Sequence, residues 1–273
     1  MKRILNFGFI LGIVLSSLVL GACGGSDSDD NGVPGSAPAG GGTSAGGEVV
    51  NANGRRLVKM MNEGGDITEY IYDSNGRIVT LKDTFIATNL VQLRNYEYTD
   101  SKITVTDGQG AFLGCYILEN GRVVRDSLPL SNDNGHYYGT YCTYEYDNTG
   151  QLTTFKRINV SDSPYQNGTL NAIATYTWQD GNIVKVEGHA GSGPGKSTFT
   201  YTYTTYPNIL PEFNAPGNVE PFLWSQGFFG KVCKNLLSNT NGTTYRYTFA
   251  GGVVTQMEVT YDGFSSVWQL VWE

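Results

Sequence analysis

From Val49 onward the apolar positions fall on every second residue rather than every third or fourth. "TFTYTYTTY" (198–206) alternates threonine with Phe199, Tyr201 and Tyr203, and "TTYRYTF" (243–249) alternates around Tyr245, Tyr247 and Phe249. A period of two written in aromatic and β-branched residues predicts half-buried strands. Between the strands one phrase recurs: an aromatic or large apolar residue, two or three polar residues, a turn residue (usually glycine), any residue, then an aliphatic. The copies are "YDSNGRI" at 72, "LENGRV" at 118, "YDNTGQL" at 146, "WQDGNI" at 178 and "FAGGVV" at 249, with a weaker "YTDSKI" at 98. Asn-Gly and Asp-Gly pairs supply the positive φ angles of tight hairpins, and the "DSNG" and "DNTG" forms suit a type I turn closed by a left-handed glycine. Each copy therefore joins two antiparallel strands. The expected fold is all-β, an antiparallel up-and-down meander. A twisted sheet of about a dozen strands must curl, split or close, and the expected product is a half-barrel or partly open barrel.

Two stretches break the alternation. Residues 206–241 carry Pro207, Pro211, Pro216 and Pro221 together with Phe213, Phe222, Leu223, Trp224, Phe228 and Phe229. So apolar a segment is expected to fold back as a cap or plug, irregular apart from a short helix near 221–227. The other exception is the start. Lys2 and Arg3 precede an apolar run from Ile4 to Leu20 that ends in "LGAC", the layout of an export signal. Gly21 and Ala22 before Cys23 resemble the lipobox of bacterial lipoproteins, which implies acylation of Cys23 and removal of residues 1–22. Residues 23–48 then form a lipidated tether of Gly, Ser and Asp, reaching about 25–30 Å; its composition cannot offset chain entropy. Residues 49–273 are expected as a single domain. Asp27, Asp29 and Asp30 resemble the surface-export signal of Bacteroidota-type lipoproteins, which implies an outer-membrane, surface-exposed location.

"YIYDSNGRIV" (70–79) and "YEYDNTGQLT" (144–153) resemble YD or Rhs repeats. The succession of "YTYEYD" strands followed by "GFFGKVCKNLL" (227–237) and a closing strand pair resembles a family of uncharacterised gut-bacterial lipoproteins with a porin-like fold. That resemblance covers nearly all of 50–273. It implies a fold and no activity, so it brings no functional residues with it.

Charge narrows the partners. The leader holds two of the 18 basic residues and none of the 25 acidic ones, so the net charge moves from −7 to −9 on its removal. An acidic chain without a basic run is unsuited to nucleic acid. The expected partners are the membrane, through the N-terminal lipid, and a glycan or apolar small ligand. No cofactor and no metal are expected: "DSDDNG" begins like a calcium loop, but Pro38 stands where the twelfth position requires glutamate. Cys115, Cys142 and Cys233 lack the close spacing of a zinc or redox site. They allow at most one disulfide.

Candidate chemistry is sparse. "AGSGPGKS" (190–197) imitates a phosphate-binding loop, yet "STFTYTYTTY" follows it where a helix is required, so a glycine-rich hairpin loop is expected. His136 and His189 have no companion nucleophile motif and are expected in turns. Glu69, Glu97, Glu145 and Glu187 lie on predicted strands; a glycan-acting hydrolase would need two of them on one face about 5–9.5 Å apart. The 18 tyrosines recur opposite threonine and form cross-strand ladders. Such ladders are either plain core or the lining of a concave groove for sugar rings or lipid tails. In the second case Tyr201, Tyr203, Trp224, Phe228 and Phe229 are the expected ligand-facing residues, while Trp268 and Trp272 pack the last strand. The function expected is non-enzymatic ligand binding at the cell envelope, with a hydrolase or a structural, cargo-carrying lipoprotein as alternatives.

Overall fold

The computed structural model describes residues 54–127, 131–133, 136–161, 168–190 and 195–273; the leader, the lipobox and the tether lie outside these. Seventeen strands appear among the described residues. They are β1 (Leu57–Asn62), β2 (Ile67–Tyr72), β3 (Ile78–Phe85), β4 (Leu90–Tyr98), β5 (Lys102–Asp107), β6 (Phe112–Glu119), β7 (Arg122–Ser127), β8 (Ser131–Asp133) and β9 (His136–Tyr146). There follow β10 (Leu152–Ser161), β11 (Thr169–Gln179), β12 (Asn182–Ala190), β13 (Lys196–Pro207), β14 (Asn235–Thr240), β15 (Thr243–Ala250), β16 (Val253–Tyr261) and β17 (Phe264–Trp272). Every pairing is antiparallel and nearly all join sequence neighbours. β8 is a short strand that extends the β7 position along β9, so sixteen strands form the ring.

The ring is closed, which corrects the half-barrel or partly open barrel. β1 pairs with β2 on one side and with β17 on the other, Leu57 opposite Trp272 and Asn62 opposite Trp268. Twist and strand tilt curl a wide antiparallel sheet on itself, which brings the last strand beside the first. Closure satisfies both free edges at once. Nothing in β1 or β17 read alone marks them as partners.

The hairpin turns follow their sequences. Asn120–Gly121 and Asp180–Gly181 hold φ of 52 and 73° and of 53 and 82°, the paired positive values of a type I′ turn. In "YDSNGRI" the Asp73 carboxylate accepts the backbone N–H groups of Asn75 and Arg77 at 2.8 and 2.9 Å, and Asp147 repeats this with Thr149 and Gln151.

All copies of the phrase lie at one end of the barrel, and the phrase does more than turn. In the copies at 72, 98, 146 and 178 its aromatic residue donates to the backbone carbonyl of an aliphatic residue at the start of the preceding strand, and Tyr203, Tyr247 and Trp272, outside the copies, do the same. Tyr72 donates to Leu57 O at 2.7 Å, Tyr98 to Ile78 O at 2.6 Å, and Tyr146 to Val123 O at 2.6 Å. Trp178 Nε1 donates to Leu152 O, Tyr203 to Ile183 O, Tyr247 to Leu237 O and Trp272 Nε1 to Val254 O, at 2.6–2.8 Å. These bonds fall at the seams where two neighbouring strands are not joined by a turn at this end. The β5–β6 seam has Leu118 instead of a ring, and its backbone N–H bonds Ser101 O. Removing one donor strands a carbonyl, so Tyr247→Phe is expected to lower the unfolding free energy by about 1 kcal/mol. A urea midpoint that falls with unchanged slope is the check.

The long insertion enters the barrel at this same end. Asn208 N–H bonds Lys234 O at 2.9 Å and closes its neck; inside lie a 3-10 turn (Pro211–Asn214) and α1 (Pro221–Ser225). Leu210, Val219, Phe222, Leu223, Trp224, Phe228 and Phe229 are buried against the wall. Phe229 meets the rings of Tyr144 and Tyr116 edge-on, Phe228 stacks on Tyr98, and Trp224 on Trp178. The repeat turns hold the plug by backbone: Val123 N–H to Phe228 O at 2.8 Å, Lys231 N–H to Gly150 O at 2.9 Å, and Lys234 N–H to Gly181 O at 2.9 Å. The expected plug and short helix are therefore present.

Candidate functional site

The plug packs against wall residues near the repeat turns, among them Tyr98, Tyr116, Tyr144 and Trp178. Two wall residues reach its loop Pro216–Gly217–Asn218: Tyr176 donates to Gly217 O and Tyr144 lies against Asn218 O, both at 3.3 Å. Tyr144 and Tyr176 are buried and point inward, so this loop lies inside the barrel. Yet Gly217 and Asn218 are exposed, and a Cβ on Gly217 would meet nothing within 4 Å. Solvent therefore reaches this part of the plug inside the barrel. A ring of sixteen strands is wide enough to leave such a space. Inward-facing residues nearer the mouth agree: Arg157 and Ser197 are exposed, and the rings of Phe199, Tyr261 and Phe264 are exposed by 45%, 49% and 59%.

One side of this cup carries charge. Arg94 on β4 bonds Asp83 of β3 at 3.1 Å and faces Glu220 of the plug at 3.6 Å, with its guanidinium over the Phe222 ring. Thr68 donates to Asp83 at 2.7 Å. Burial works against the charge on Arg94, and the facing Tyr96, Glu220 and Asp83 more than restore it. Burial pushes the Glu220 carboxyl above the ordinary range, and Arg94 pulls it partly back. Further round, Asp126 accepts the Cys142 N–H at 2.8 Å and the Tyr144 hydroxyl at 2.7 Å. The other side, from β13 to β17, presents rings.

Of the residues expected to face a ligand, Trp224, Phe228 and Phe229 are at most 4% exposed and pack plug against wall. No surface of theirs remains for a ligand. Tyr203 spends its hydroxyl on Ile183 O. Tyr201, half-buried and one step nearer the mouth, stands at the cup's edge. The periodicity located the rings on the inner face but could not say how deep the plug reaches, so Gly217, Asn218, Tyr261 and Phe264 went unmarked. An inward position in a turn-proximal ring was the available signal.

The strand glutamates face outward. Glu69 pairs with Lys82 at 2.8 Å, Glu187 with Lys185 at 2.8 Å and Glu145 with Lys156, while Glu97 is exposed opposite Thr104. Threonines fill the columns between them, as at 198, 200, 202, 244, 248 and 260. His189 lies in β12 rather than in a turn, and Lys196 opens β13, so a strand follows the imitation phosphate loop, whose residues 191–194 lie outside the described ones. Cys115, Cys142 and Cys233 are free thiols. Among the described residues no cluster of three or more His, Cys, Asp or Glu is placed to hold a metal, and no helix is long and apolar enough to cross a membrane.

Two other spaces exist. A groove of about 860 Å³ runs outside along β17, β1 and β2, lined by Lys59, Glu69, Ile71, Lys82 and Val271; its charges already engage each other. Between plug and wall, Glu212 lines a space with Tyr70, Tyr72 and Trp272 of about 10 Å³, room for about one water. Burial raises the Glu212 carboxyl to about 7. A raised carboxyl gives stability that is complete below the ordinary carboxylate range and lost as pH climbs through 7. Glu212→Gln, neutral throughout, is therefore expected to gain on the order of 2 kcal/mol over the parent at pH 8 and nothing near pH 4.5, which thermal unfolding at the two pH values will check.

A closed antiparallel barrel, stoppered by its own chain and carrying charged and threonine side chains on its outer wall, has a porin-like architecture. The chain belongs to the family described as a domain of unknown function (DUF4595) with porin-like fold, which matches residues 60–263. Two crystal structures share the fold. A porin-like protein from Bacteroides uniformis is 17% identical, with a TM-score of 0.57 over 79% of this chain and 96% of that one. A porin-like protein from Bacteroides vulgatus is 12% identical, with a TM-score of 0.53 over 79% and 97%. No curated protein matches the chain.

Proposed function

We propose that this chain is an exported, lipid-anchored binding protein that stands in water and holds a small ligand in the open half of its barrel, without catalysing a reaction. The observation that carries this reading is the Gly217–Asn218 loop, which is bonded to the inner wall and still reached by solvent. The lipobox at Cys23 and the acidic tether supply the anchor and the surface-exposed setting. The outer wall argues against insertion. A membrane barrel needs an outward apolar band, and each Lys or Arg at the bilayer midplane costs about 2–4 kcal/mol; here Lys82, Lys156, Lys185 and Arg246 all lie on that wall. The full chain is accordingly expected to raise no ion conductance in a planar bilayer. The glutamates considered for hydrolysis are on that same outer wall, away from the cup.

Equilibrium dialysis against an extract of growth medium, followed by mass spectrometry of the retained small molecules, tests the reading. Gly217→Cys in a Cys115→Ser background places a thiol on the cup floor, and a bulky maleimide then blocks it. Compounds retained by the open protein and released by the blocked one are expected. Equal retention by the two would remove the cup as the binding site.

A further inference from the structure

The walls of the cup differ, and the difference selects a chemistry. Strands β13 to β17 are consecutive in the ring. Their inward positions at the open half carry the rings of Phe199, Tyr201, Tyr245, Tyr261, Phe264 and Trp268, with Ser197, Thr240, Thr243 and Ser266 between them. Across the lumen, strands β4 to β11 offer Arg94, Asp126 and Arg157, with the Tyr144 and Tyr176 hydroxyls at the floor. The cup is thus aromatic on one side and hydrogen-bonding on the other.

We infer that the cup takes a neutral, polyhydroxylated ligand, an oligosaccharide, with the C–H faces of its sugar rings stacked on the β13–β17 side and its hydroxyls bonded on the β4–β11 side. The inference rests on the binding reading above and adds the class of ligand. Three observations separate this class from its rivals. First, exposed rings are apolar surfaces whose faces stack with flat partners, and the three nearest the mouth are about half exposed. Second, the polar side has no surplus of positive charge: Asp83, Glu220 and Asp126 stand against Arg94 and Arg157, and Arg94 is already engaged by two carboxylates. An anionic nucleotide or phosphate gains little there. Third, an acyl chain laid in the cup would strip water from Arg157 and from the Gly217–Asn218 loop, all exposed, and offer no hydrogen bonds in return, an unfavourable exchange. A polyol replaces the water bond for bond.

The test uses the full lipidated chain in phospholipid vesicles, titrated by calorimetry with short neutral oligosaccharides of the gluco, manno, galacto and xylo series, with a nucleoside monophosphate and a long-chain fatty acid as comparison probes. One neutral series is expected to bind one to one. Phe199→Ala and Tyr261→Ala should each weaken it by about three- to tenfold with unchanged urea midpoints, since both rings are already half in water. Glu97→Gln on the outer wall should leave it unchanged. Saccharide binding that survives both ring substitutions overturns the inference. Binding of the nucleotide or fatty acid instead, abolished by blocking Gly217→Cys, overturns the ligand class and leaves the cup reading standing. No probe distinguishing the open from the blocked protein overturns both.

Discussion

Gly230→Ala is expected to destabilise the fold by about 3–5 kcal/mol. Gly230 sits at φ 83°, where an L side chain costs about 1–2 kcal/mol. The methyl would also lie 2.3 Å from Gly150 O and 3.1 Å from the Tyr146 ring. The carbonyl belongs to a repeat turn and is the acceptor of Lys231 N–H, so it cannot retreat without releasing the plug. Gly217→Ala on the same plug has open space around it and should change stability by less than about 0.5 kcal/mol. Urea unfolding of the two variants side by side checks both values. If the pair behave alike, the plug is not fastened to the turn at Gly150.

Arg94→Leu should cost a similar amount, about 3–5 kcal/mol at neutral pH, because it leaves Asp83 and Glu220 facing each other in a buried site without their cation. Both carboxylates are under 10% exposed, and one is on the wall while the other is on the plug. The loss is pH-dependent, with a sign that geometry fixes. Glu220 already has a carboxyl raised by burial, and loss of Arg94 removes what pulls it down. Protonation in acid then removes one stranded charge. The variant's deficit is expected to be smaller at pH 5 than at pH 8, as read from urea midpoints. A deficit independent of pH would mean that Arg94 acts through packing on Phe222 alone.

Much of this architecture is written locally. The strands follow from alternation at 198–206 and 243–249, the turns from Asn-Gly and Asp-Gly, and the plug from the proline-broken apolar stretch expected over 206–241, whose end is the strand β14 (Asn235–Thr240) instead. Closure is not local. It depends on Leu57 finding Trp272 across the whole chain, and on a summed twist that no single strand displays. The aromatic seam bonds were half visible: the aromatic and the aliphatic of the phrase repeat together, but each ring bonds the aliphatic of the strand before it, so partner and phrase are offset. The cup was least legible. Trp224, Phe228 and Phe229 looked like ligand contacts because apolarity in a loop signals an interface, and here the interface is with the chain's own wall. What remains open is decided by how far the plug descends, a length set by the fold of residues 208–234 rather than by their composition.

The join between β1 and β17 also sets a direction. Arg56 and Glu273 exchange both backbone hydrogen bonds beside the stopper, so the first described residue, Gly54, lies near the sealed base. If the proposed mooring through Cys23 holds, the tether joins the barrel at its base and leaves the opposite rim clear, whatever the tether's length.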